Sequence, residues 1–106
     1  MTTQVNEENL LKAGYTKTRS EWDVSKNRTH FQKAIRDIDN RKLFYLNVYQ
    51  YHVCKYIATE KFIAEVQFNN GKEETFDLNL LDLKSIERVE DFFINAFFAF
   101  DCKYED

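Results

Sequence analysis

The 106 residues carry a net charge of -3, with 43% apolar and 16% aromatic residues, no proline and two glycines. That length supports one domain with a single two-layer core, spanning 1–106, and the composition excludes a disordered chain, a linker or a low-complexity tract. Two cysteines, Cys54 and Cys102, are too few for a disulfide framework.

The opening MTTQVNEENLLKAG has neither the basic nor the apolar region of a secretory signal, and no run approaches membrane-spanning length, so a cytoplasmic protein is expected. Asn6 can cap a short helix, with Glu7 and Glu8 in its first turn, Val5 set to staple onto Leu10 and Gly14 suited to the stop. The segment from Tyr15 to Arg28 is polar apart from Trp22 and Val24. It reads as irregular, with a strand-like portion around Trp22.

From Thr29 the hydrophobic period becomes two, the mark of antiparallel strands separated by polar turns. The first strand is expected over His30 to Ile38, turning through Asp39-Asn40-Arg41-Lys42. The second covers Leu43 to Val53, with Phe44, Leu46 and Val48 on one face and Tyr45, Asn47, Tyr49 and Tyr51 on the other. The third carries the apolar row Phe62, Ala64, Val66 and Phe68. Asn70-Gly71 signals a tight hairpin, and the returning strand points Phe76 and Leu78 inward.

Ser85 to Phe100 holds five of the ten phenylalanines and reads as a closing helix, with Ser85 as its cap and Asp82, stapled by Leu81, as the rival cap. Ile86, Val89, Phe92, Phe93, Ala96, Phe97 and Phe100 share its core face. The expected fold class is α+β, a four-stranded antiparallel sheet in the order α-β-β-β-β-α with the Phe-rich C-terminal helix on one face.

Chemistry-bearing patterns are sparse. His52 and Cys54 share a strand face, but zinc needs four ligands and the rest of the chain shows no ligand spacing. Asp37 and Asp39 are carboxylates of a turn, where Asp and Asn belong for backbone reasons. No nucleophile sits in a motif and no glycine-rich loop cradles phosphate. The reading is a non-enzymatic protein with no catalytic residues, no metal and no cofactor.

Two surfaces stand out for binding. Tyr45, Tyr49 and Tyr51 form a row of amphipathic rings that suits a protein interface. The alternative use is base stacking in a single-stranded nucleic-acid binder, helped by Lys33 or Arg36 and opposed by Glu65, Glu73 and Asp77. The same row equally fits tyrosines packed beneath the first helix and the Trp22 segment. Ile94 and Phe98 project from the polar side of the last helix, where they suit a homodimer contact or docking ridge unless the tail through Tyr104 covers them. Charge is also polarised: nine bases against four acids between Lys12 and Lys42, five bases against twelve acids from Glu60 onward.

The succession LLKAGY, HFQKAIRD, KLFYLNVYQYH, FIAEVQFNN, TFDLNLLDL and SIERVEDFF, closing on a Tyr-Glu pair, resembles short open reading frames of bacteriophages and prophages. The matching pieces are structural and bring no functional residue with them. What the resemblance implies is an accessory phage protein that acts by sterically occupying a host or phage protein, such as a defence or replication component.

Overall fold

A computed structural model describes residues 5–68, 73–77 and 83–99. The elements are α1 (Glu7–Lys12), β1 (Thr16–Thr18), α2 (Glu21–Ser25), β2 (Arg28–Arg36), β3 (Lys42–Tyr51), β4 (Lys61–Gln67), β5 (Glu73–Asp77) and α3 (Leu83–Ala99). The strands form one antiparallel meander, β1-β2-β3-β4-β5, in chain order.

The start of the chain folds as its residues dictate. Asn6 accepts a hydrogen bond from the Asn9 amide at 2.8 Å and caps α1. Gly14, at φ 98°, stops it: the Gly14 amide donates to the Leu11 carbonyl and the Tyr15 amide to the Leu10 carbonyl, a Schellman closure that favours glycine. Val5 and Leu10 are both buried in the core cluster.

The core lies on the face of the sheet formed by odd positions of β2 and even positions of β3 and β4. Phe31 pairs with Val48, and Val48 with Ala64, so the apolar rows of three strands are in register. Against them α3 lays Ile86, Phe93, Ala96 and Phe97. Phe44 stands edge-on to Phe68 and Phe93, with ring centroids 5.3 and 6.1 Å away, the offset geometry that aromatic quadrupoles favour. The four expected strands and the Phe-rich closing helix are all present, in an α+β fold.

Several local expectations are corrected. Tyr15 to Arg28 is ordered rather than irregular: three residues pair as β1 along β2, and Trp22 lies in the helix α2 rather than in a strand. A capping box explains α2, since Ser20 Oγ accepts from the Asp23 amide while the Asp23 carboxylate accepts from the Ser20 amide. Strand β2 ends at Arg36, because the Asp37 side chain accepts from the amides of Asp39 and Arg41 and closes the turn, leaving Ile38 99% exposed. Strand β3 ends at Tyr51, short of Val53. Helix α3 begins at Leu83, which places Ser85 inside it rather than at its cap. Phe92, assigned to the core face, is exposed. The expectations for Asn70-Gly71, Leu78, the Asp82 cap with its Leu81 staple, Phe100 and the tail through Tyr104 lie outside the described residues.

Candidate functional site

The opposite face of the sheet carries the even positions of β2 and the odd positions of β3 and β4. Its rows follow from the register: Arg28, Tyr51 and Lys61; His30, Tyr49 and Ile63; Gln32, Asn47 and Glu65; Ala34 and Tyr45. On the β5 side the backbone pairs Asp77 with Ile63 and Glu73 with Gln67. Lys33 is not among these residues. Its odd position turns it to the core side, where it cannot offset those acids.

Arg28 is the centre of the arrangement. Its Nε donates to Asp23 Oδ1 at 2.8 Å and its Nη1 to the Tyr51 hydroxyl at 2.8 Å, while its guanidinium lies 3.8 Å from the centroid of the Tyr49 ring. His30 stacks on that same ring at 4.7 Å. Tyr49 is thereby only 8% exposed. Of the two readings of the tyrosine row, packing beneath the Trp22 segment holds for Tyr49, capped by a cation and an imidazole, and for Tyr51, half-buried and tied to Arg28, while Tyr45 stands exposed, beneath the Lys42 ammonium at 4.4 Å. A strip of three free ring faces for stacking bases is not presented.

The imidazole is held from both sides. Nε2 lies 2.6 Å from Asn47 Oδ1, which also accepts from Gln32 Nε2, and Nδ1 lies 3.0 Å from Thr18 Oγ1. Both contacts are satisfied when Nε2 carries the proton and Nδ1 accepts from the threonine hydroxyl. Asp23 Oδ2 stands 3.8 Å from Nδ1. Among the described residues no buried side-chain nitrogen or oxygen lacks a partner.

Electrostatics match this closure. Burial pushes the Asp23 carboxyl upward, but the hydrogen bonds from Arg28 and Ser20 outweigh it and hold the group below its ordinary value. Burial likewise works against the Arg28 charge, yet Asp23 and Tyr51 hold its pKa above the usual one. Burial first, and then the nearby Glu65 charge, push the Tyr49 hydroxyl up to about 12. Asp23, Arg28 and Tyr51 thus work as a clamp that fastens α2 over one end of the sheet.

That clamp leaves a different surface open. The Asn27 carbonyl accepts from the His52 amide at 3.0 Å, and Asn27 Nδ2 donates to the His52 carbonyl at 2.9 Å, joining the end of α2 to the start of the β3–β4 connection. Trp22 and Val24 on one side of this joint, and Val53 and Tyr56 on the other, are all exposed, Trp22 at 63% and Tyr56 at 87%. The sequence pattern shows each of these residues, but it takes the Arg28 to Tyr51 register and the Asn27 to His52 pairing to bring the two segments to one end of the sheet.

The remaining predicted residues are dispersed. Ile94 is partly buried against the core rather than part of an exposed ridge, so Phe98, exposed and edge-on to Phe97, stands without it. Each follows a buried phenylalanine, Phe93 or Phe97, but four residues advance about 40° beyond a full turn, which carries Phe98 further from the core stripe than Ile94. His52 contacts Thr29 Oγ1 at 2.8 Å and Cys54 forms a backbone bridge with Ile57. Among the described residues no three His, Cys, Asp or Glu side chains converge, and no helix is long and apolar enough to cross a membrane. The chain matches no known family, no curated protein and no solved structure.

Proposed function

We propose that this chain is a non-enzymatic accessory domain of the bacteriophage type, acting in the cytoplasm by binding a protein and occluding its working surface, with a host defence or replication component as the target. The observation that carries this reading is the exposure of Trp22, Val24, Val53 and Tyr56 around the Asn27 to His52 joint. Tryptophan and tyrosine are the residues most enriched at the energetic centres of protein interfaces, because they bury large rigid area at small entropic cost. Large apolar side chains held on a pinned helix and a pinned loop also lose little freedom on binding.

The test is capture from host lysate on immobilised full-length chain, with and without nuclease. Retention of a protein that survives nuclease supports the reading. Retention of nucleic acid alone, or of proteins that leave with it, moves the function to nucleic-acid binding.

A further inference from the structure

Apart from Lys42, which donates to the Tyr45 hydroxyl, the lysines with described side chains divide into two groups. Lys12, Lys17 and Lys33 each face a carboxylate, those of Glu8, Glu7 and Glu90. Lys26, Lys55 and Lys61 form no ion pair among the described residues, and all three are exposed. Each stands instead over an aromatic ring: Lys26 over Trp22 at 4.8 Å, Lys55 over Tyr56 at 5.6 Å, and Lys61 over Tyr51 at 5.7 Å. All three belong to the end of the sheet where α2 and the β3–β4 connection are joined, since Lys26 precedes Asn27, Lys55 follows His52 by three residues, and Lys61 pairs with Tyr51.

From this we infer that the α2 and β3–β4 end recognises an acidic protein segment carrying apolar anchors. The inference rests on the protein-binding reading above and gives that partner its chemistry. Carboxylates on the partner supply the counter-charges that Lys26, Lys55 and Lys61 lack among the described residues, and its apolar side chains lie on Trp22, Val24, Val53 and Tyr56. Burying these cations against carboxylates also strengthens their hold on the rings beneath, because a desolvated ammonium is attracted more strongly by an aromatic face. A single-stranded nucleic acid fits less well. The exposed Val24 and Val53 offer no face on which a base could stack, and match instead the apolar anchors of a protein segment.

The experiment uses an array of short synthetic peptides that combine Trp, Phe or Leu anchors with glutamate, with serine, or with lysine, probed with the full chain at about 0.15 M salt. Oligothymidine is spotted beside them. The expected result is selective retention on the glutamate peptides, reduced at least about tenfold by Trp22→Ala and by the combined reversal Lys26→Glu, Lys55→Glu and Lys61→Glu. The reversed chain should in turn prefer the lysine peptides while keeping the urea transition of the native chain, which separates the switch from loss of folding. Preference of the native chain for serine or lysine peptides, retention on oligothymidine, no retention at all, or indifference to the lysine reversal overturns the inference. The lysate capture separates the two readings: a nuclease-resistant protein held equally well by the reversed chain leaves protein binding in place and removes the acidic segment.

Discussion

The two faces of this sheet are built by opposite means. The inner face is closed by apolar area: Phe44, Phe68, Phe93 and Phe97 fill the space between β3, β4 and α3, and the alternation of the strands decides which residues take part. At its margin it admits a polar cluster, in which Glu90 of α3 accepts from the Tyr15 hydroxyl at 2.7 Å and from Lys33 Nζ at 3.1 Å. Burial, followed by the Glu90 charge and hydrogen bond, raises the Tyr15 pKa far above the ordinary phenol value, so this hydroxyl remains a donor. The outer face is closed at one end by Asp23 and Arg28 over Tyr49, and little apolar area is involved. Tyr49 and Tyr51 thus form a foundation for the α2 segment, and α2 in turn carries the exposed Trp22 and Val24.

Breaking the inner face should have the largest effect. Phe93→Ala removes a fully buried ring from the centre of the cluster and should cost about 3 to 5 kcal/mol by urea titration. A loss below about 1 kcal/mol would show that α3 does not lie where its apolar face places it.

The outer face should respond to charge and to pH. Asp23→Asn keeps the shape but weakens the hydrogen bonds with Arg28, for an expected loss of about 1 to 2 kcal/mol near pH 7. Because the folded carboxyl is held below its ordinary value of 3.8, its contribution is full above that value and disappears as pH falls through the lower folded one. Native chain and variant should therefore differ in urea near pH 7 and converge near the acid end of the titration.

Tyr15→Phe sharpens the comparison on the other side. It removes one donor from Glu90 while Lys33 remains, so the expected loss is about 1 kcal/mol, smaller than for Phe93→Ala. Trp22→Ala should have the smallest effect on stability, within about 0.5 kcal/mol, because the ring is mostly in solvent. The same variant should lose partner capture, which separates binding from folding.

Much of the inner face was legible in the sequence because period-two and period-3.6 patterns are imposed directly by burial: Phe44, Leu46, Val48, Phe62, Val66, Phe68, Ile86, Phe93 and Phe97 all lie in the core as their spacing implies. The outer face was not, because polar closure leaves no periodic trace. Asp23, Arg28 and Tyr51 meet through two long side chains, and nothing in their spacing announces it. One signal was available, the Ser20-x-x-Asp23 capping pattern, which marks the start of α2 and would have ordered the segment around Trp22. Phe92 and Ile94 went astray for a related reason: both flank the apolar stripe of α3, and sequence spacing alone does not say which flank the sheet covers.

The most direct test of this account is a double-mutant cycle across the outer clamp, with Asp23→Ala, Arg28→Ala and the double variant unfolded in urea near pH 7. A coupling energy above about 1 kcal/mol is predicted, since each single change leaves a buried charge without its partner and the double change removes both. Additive losses, with no coupling, would contradict the claim that this pair fastens α2 to the sheet and would reopen the tyrosine row as a surface.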